Sequence, residues 1–142
     1  MTNKACVARD LNHVAIAVRD IHATLALYQR LFGMVASDLV ELPDQQVCAA
    51  LASVGTSRLE FIQPTSDDSA IARFLERRGE ALHHICFEVD DLEATLIALR
   101  DEGLDLVDDT PRHGLVGEIA FIHPRSTGGV LIELVENDRS HG

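Results

Sequence analysis

Basic residues are scarce: 12 Lys and Arg stand against 23 Asp and Glu in 142 residues, a formal net charge of −11. Such a surface repels nucleic acid and anionic membranes at long range, which argues against a polyanion-binding role. Cysteine is also sparse. Cys6, Cys48 and Cys86 are an odd number with no C-x-x-C spacing, so neither a disulfide framework nor a thiolate zinc site is expected. No apolar run approaches the roughly 20 residues of a membrane helix, and Met1-Thr2-Asn3-Lys4-Ala5-Cys6 lacks the apolar stretch of a secretion signal. The expectation is a protein of a reducing, cytoplasmic compartment. What is present is 46% apolar residues in one domain's worth of chain, enough for a real core.

The chain repeats itself. His13-Val14-Ala15-Ile16-Ala17-Val18-Arg19-Asp20 matches His84-Ile85-Cys86-Phe87-Glu88-Val89-Asp90-Asp91, and Leu59-Glu60-Phe61-Ile62 matches Ile132-Glu133-Leu134-Val135. In each half a strand runs into a helix with an Asp in the capping position, Asp20 or Asp91. Apolar residues then recur at helical spacing, through Ile21, Leu25, Tyr28 and Leu31/Phe32 in one half and Leu92, Leu96 and Leu99 in the other. Gly33 and Gly103 stop the helices. Three short strands follow each: 34–41, 46–53 and 58–63, then 104–108, 117–122 and 130–136. Between the halves, Ser66-Asp67-Asp68-Ser69 offers capping oxygens, Ile71, Phe74 and Leu75 form a stripe, and Gly79 ends a linker helix. The expected architecture is α+β: two βαβββ modules, 10–64 and 81–137, in tandem around a linker helix within 65–80. Together they make a single domain whose curved mixed sheet surrounds a metal site.

Side chains alternate along a strand, so Val14, Ile16 and Val18 share one face while His13, Ala15 and Ala17 share the other. Ile85, Phe87 and Val89 separate in the same way from His84, Cys86 and Glu88. Helices are expected over the bulky faces, leaving the histidine faces to line a cavity. Glu133 shares a face with Leu131 and Val135, where an ionised carboxylate is costly unless a cation meets it. Glu60 holds the same register one repeat earlier. A lone strand histidine is more often a satisfied structural residue than a ligand. Two in one register, with two matching glutamates, point instead to a metal. A pseudo-twofold axis relating the halves would gather His13, Glu60, His84 and Glu133, a donor set suited to Co²⁺, Mn²⁺, Ni²⁺, Zn²⁺ or Mg²⁺.

Several segments are more specific. Leu11-Asn12-His13-Val14-Ala15-Ile16-Ala17-Val18, Pro64-Thr65-Ser66-Asp67-Asp68-Ser69, His83-His84-Ile85, Phe121-Ile122-His123-Pro124 and Gly129-Val130-Leu131-Ile132-Glu133-Leu134 together resemble the methylmalonyl-CoA epimerase family. That family is part of the vicinal oxygen chelate superfamily, which also holds glyoxalase I and the extradiol dioxygenases. The resemblance implies a glyoxalase-like fold and a divalent metal on His13, Glu60, His84 and Glu133, with Glu60 where some members carry glutamine and His83 as a non-ligand. It also implies an acyl-CoA substrate, epimerised between (2R)- and (2S)-methylmalonyl-CoA. Removing the C2 proton leaves a planar enolate that can be reprotonated on either face. Glu60 and Glu133 are the expected proton-transfer groups, as the metal-bound glutamates of glyoxalase I are thought to be. A homodimer is the expected assembly.

Two departures from the family pattern stand out. Some epimerases carry a second catalytic glutamate two residues after the valine of a Pro-Glu-Gln-Gly-Val segment, and here Pro43-Asp44-Gln45-Gln46-Val47 leads to Cys48 and Ala49. A loop of small residues is replaced by Arg112-His113-Gly114-Leu115-Val116-Gly117, whose Leu115 and Val116 would reshape the acyl pocket. The alternatives are a glyoxalase I-like isomerase acting on a glutathione hemithioacetal and a non-enzymatic antibiotic-binding member of the fold. The extra carboxylate of Glu60 argues against a dioxygenase. Arg73, Arg77, Arg78 and Arg125 are candidate contacts to CoA phosphates, against the commoner reading of a solvated face. His22, His113 and His141 are expected at the surface and His123 in a turn.

Overall fold

A computed structural model describes residues 7–136, so Cys6 and His141 lie outside the described residues. Two compact units emerge: residues 13–83, and residues from 84 onward joined by the N-terminal residues through Asn12.

The first unit carries β1 (Asp10–Ala17, from His13 onward), α1 (Ile21–Phe32), β2 (Val40–Leu42), β3 (Val47–Val54), β4 (Ser57–Pro64) and α2 (Ala70–Arg78). Its strands lie in the order β2-β3-β4-β1, with β1 parallel to β4 and the other pairs antiparallel. A parallel pair cannot be closed by a hairpin, so the chain must cross over between its members, and α1 with the β2–β3 hairpin is that crossover. The Asp20 carboxylate caps α1 by accepting from the Ala23 N–H at 3.0 Å, and Gly33 ends it in the left-handed region at φ 69°. Buried Ile21 of α1, with Leu25 and Tyr28 alongside, covers Val18, Ala50, Ala52 and Phe61. The bulky face is therefore the helix-covered one, as alternation requires.

The second unit repeats the plan with β5 (Ala81–Val89, from His84 onward), α3 (Leu92–Asp101), β6 (Arg112–Gly114), β7 (Gly117–Ile122) and β8 (Ile132–Glu136). The order β5-β8-β7-β6 has its parallel pair at β5–β8. Leu92 and Leu96 of α3 pack on Val89, Ala120, Ile122 and Leu134. The N-terminal residues belong here through backbone and side chain: the Arg9 N–H donates to the Glu88 carbonyl at 2.8 Å and Asn12 Nδ2 donates to Glu88 Oε1 at 2.9 Å.

The third element of each half departs from expectation. The strand expected over 34–41 shrinks to Val40–Leu42 plus a lone bridge from Ala36 to Ala52. That expected over 104–108 reduces to a bridge from Leu106 to Ile122, and the pairing strand comes later, at Arg112–Gly114. Leu104 and Leu106 are drawn onto the α3 core cluster instead of extending the sheet. Among the described residues no helix is long and apolar enough to cross a membrane.

The repeat also reaches an unexpected detail. The first N–H of a helix has no intrahelical partner, and in both halves the end of the last strand supplies one: Gln63 Oε1 accepts from Ile21 at 2.7 Å and Glu136 Oε1 from Leu92 at 3.1 Å. Gln63→Leu and Glu136→Leu should each lower stability in urea unfolding by about 1 kcal/mol. Glu136→Gln, which keeps the acceptor, should stay within a few tenths of wild type.

Candidate functional site

In the first unit His13 comes from β1 and Glu60 from β4. The β1–β4 register sets Ala15 opposite Glu60, so His13, Ala15, Ala17, Glu60 and Ile62 share a face. That face is lined by small residues, with Ala15, Ala17 and Ala49 all fully buried. His13 Nε2 stands 3.6 Å from Glu60 Oε1, with side-chain exposures of 1% and 7%.

The second unit rebuilds the same pair. Cys86 lies opposite Glu133, and His84 Nε2 stands 3.3 Å from Glu133 Oε1, at exposures of 3% and 7%. The surrounding face is bulkier, because Cys86, Ile119, Phe121 and Val135 cluster there with Val116 and Leu131 beside them. Phe121 meets the His84 ring edge to face, with centroids 5.3 Å apart and planes at 86°. Strand alternation in 117–122 aligns Phe121 with Ile119 on this face, so its place was readable. The contact with His84 was not.

Each pair fits half of a divalent-cation donor set. Adjacent nitrogen and oxygen ligands at roughly 2.0–2.2 Å from one ion stand roughly 3.0–3.4 Å apart, depending on geometry. The 3.3 Å of the second pair falls in that range and the 3.6 Å of the first lies just beyond it, both longer than a charge-assisted hydrogen bond of about 2.7–2.9 Å. Imidazole nitrogen and carboxylate oxygen without thiolate are the donors that cobalt, manganese, nickel, zinc or magnesium accept.

The other residues singled out fall as follows. The His83 ring packs against Phe74 of α2 at 4.8 Å and 84°, on the side of β5 opposite His84. Ala49, paired with Ile62, lies on the Glu60 face with no group able to carry a proton. Burial, with the Glu41 carboxylate adding to it, pushes the neighbouring Cys48 thiol up, which makes it a poor nucleophile. Leu115 and Val116 form the two-residue turn between β6 and β7, and Val116 reaches the Glu133-side cluster. Gly114 is sterically required, because a Cβ there would stand 2.7 Å from Ile119 Cγ2. Arg125 is engaged by Asp105 at 2.7 Å, and Arg73 Nη1 donates to the Asp68 carbonyl. His22 and His113 are exposed. His123 caps a short turn, its Nδ1 accepting from the Arg125 N–H at 3.2 Å.

Comparison with known proteins extends these observations. Residues 12–123 match the family model of the glyoxalase/bleomycin resistance protein/dioxygenase superfamily, and the chain belongs to that superfamily. Within it, the relatives carry a narrower name. The human mitochondrial methylmalonyl-CoA epimerase is 36% identical over 87% of this chain and 72% of its own. The crystal structure of the Mycobacterium tuberculosis methylmalonyl-CoA epimerase superposes with a TM-score of 0.89 at 35% identity, covering 99% of this chain and 95% of that one. A variant of the Streptomyces coelicolor enzyme in complex with 2-nitronate-propionyl-CoA gives 0.88 at 33% identity, covering 94% and 97%. The glyoxalase-like fold and the family resemblance read from the sequence are both borne out.

Because His83 and His84 face opposite sides of β5, they separate cleanly. His84→Ala should weaken Co²⁺ binding in a calorimetric titration by on the order of 100-fold or more, beyond what loss of an outer partner costs. His83→Ala should leave it within about threefold, and cost only the roughly 0.5–1.5 kcal/mol of an aromatic pair in stability. Equal losses would mean the register is wrong by one residue.

Proposed function

We propose that this chain is a metal-dependent epimerase interconverting (2R)- and (2S)-methylmalonyl-CoA, and that His13, Glu60, His84 and Glu133 together hold one divalent cation. The observation that carries the reading is the twofold construction of a buried His–Glu pair, 3.6 Å in one unit and 3.3 Å in the other, in a chain several of whose relatives are named epimerases of that substrate. When bound, the cation supplies positive charge that stabilises the negative charge developing on the thioester oxygen as C2 loses its proton.

The chain's own groups do the rest. The imidazoles of His13 and His84 present Nε2 to the site. Glu60 and Glu133 are the proton-transfer groups. Inversion at C2 needs a proton to leave one face and another to arrive on the opposite face, so two acid/base groups, or one group and a well-placed water, must flank the enolate. Repeat-related carboxylates supply two, and nothing at Ala49 supplies a third. The apolar wall of Ile119, Phe121 and Val135 keeps water from the carbanion. Leu115 and Val116 define the acyl pocket, with a small methyl branch as the group admitted. A cytoplasmic homodimer is the proposed setting.

Two experiments test this. In D₂O, metal-loaded protein should wash deuterium into C2 of methylmalonyl-CoA, chelation should abolish the exchange, and added Co²⁺ should restore it. Turnover of the glutathione hemithioacetal of methylglyoxal should be slight, and the reverse preference would make the protein a glyoxalase I-like isomerase. Glutamine still ligates through its carbonyl oxygen but takes no proton near neutral pH. Glu60→Gln and Glu133→Gln should therefore retain metal, lose racemising turnover, and each still exchange the C2 proton of one enantiomer, opposite in the two cases. Normal epimerisation by Glu60→Gln alongside an inert Glu133→Gln would reduce Glu60 to a ligand.

A further inference from the structure

A chain of three residues outside the proposed ligand set leads to His84, all within the second unit. Phe121, only 6% exposed, presents its ring to the imidazole edge to face at 5.3 Å. The Arg112 guanidinium lies over that same ring, its carbon 5.6 Å from the centroid, inside the roughly 6 Å range of a cation–π contact. Asp108 ties the two together. Its Oδ1 stands 3.3 Å from Arg112 Nε, and its Oδ2 accepts the Phe121 backbone N–H at 2.8 Å. The strand register explains the arrangement, since Arg112 pairs with Ile119 and Phe121 with Glu133, which puts Arg112, Phe121 and Glu133 on one face.

We infer that Arg112, held by Asp108, is a positioning residue for His84: it fixes the Phe121 ring, and the ring fixes the rotation of the imidazole that aims Nε2 at Glu133. A cation beside a cation site would otherwise be hard to understand. By Coulomb's law alone Arg112 opposes metal binding, so removing its charge should tighten the site. Positioning demands the opposite sign, because an imidazole free to rotate away costs affinity. Ligand orientation by outer partners is commonly worth about 10- to 100-fold in metal affinity. The inference rests on the proposed metal reading only for its second readout.

The test uses the full-length protein, first metal-free. In side-chain ¹H–¹⁵N spectra of the histidines, Arg112→Met should shift or broaden the His84 ring signals and leave those of exposed His22 unchanged. Arg112→Lys, which keeps a cation over the ring, should return them toward wild type, and Asp108→Asn should be intermediate. In Co²⁺ titrations Arg112→Met should raise Kd about 10-fold and alter the visible absorption of the bound ion. Arg30→Met, an exposed control with the same charge change, should do neither. Unchanged His84 signals, or Co²⁺ bound equally or more tightly by Arg112→Met, would overturn the inference, as would an equal loss in Arg30→Met. Should Arg112→Met not fold, Asp108→Asn decides the matter, and wild-type His84 signals in it overturn the inference. If wild type takes up no Co²⁺, the metal reading fails while the metal-free spectra still decide the role of Arg112.

Discussion

A carboxylate buried in an apolar wall needs a polar partner on its own face, and the strand pairing of both halves meets that need. Glu133 is 5% exposed on a face shared with Cys86, Phe121 and Val135. Its histidine must come from the neighbouring strand, in register, with Nε2 turned toward it. Parallel pairing of β5 with β8 meets the requirement, and so does that of β1 with β4. Once two adjacent strands must run parallel, the chain has to travel back between them, and the βαβββ unit is the short route. The helix on that route covers the opposite face and gives the sheet its core, through Ile21 in one half and Leu92 and Leu96 in the other.

Much of this was legible because the informative signals are local and repeated. Asp20, Asp91, Gly33 and Ser69 act at the helix ends through hydrogen bonds and backbone angles that depend on immediate neighbours. Alternation along β1, β4, β5 and β8 separates the His–Glu face from the core face, and the internal repeat sets His13 and Glu60 in the same register as His84 and Glu133. The third element of each half was not legible. Leu104 and Leu106 carry an apolar alternation like that of a strand, yet their partners are α3 and a single bridge, and the true edge strand is three residues containing Arg and Gly. Short edge strands are decided by tertiary pairing and not by propensity. The link from Asp108 through Arg112 and Phe121 to His84 was equally invisible, because each contact spans a loop whose path the sequence pattern leaves open.

The two halves diverge at the connection inside their antiparallel hairpins. Between β2 and β3 the chain turns through a helical turn at Pro43–Gln45 and a left-handed Gln46 at φ 54°. The equivalent connection between β6 and β7 is two residues, Leu115 and Val116. The first arrangement puts fully buried Ala49 onto the Glu60 face, and the second puts Val116 onto the Glu133 face. A small residue in one half and a branched one in the other give the two His–Glu faces unequal bulk. The duplicated strands hold what is alike in the two halves, a buried His–Glu pair in each. The hairpins hold what differs, and in the proposed epimerase that asymmetry is where acyl groups are told apart, because an apolar pocket distinguishes substrates by a methylene or two at about 1–3 kcal/mol each.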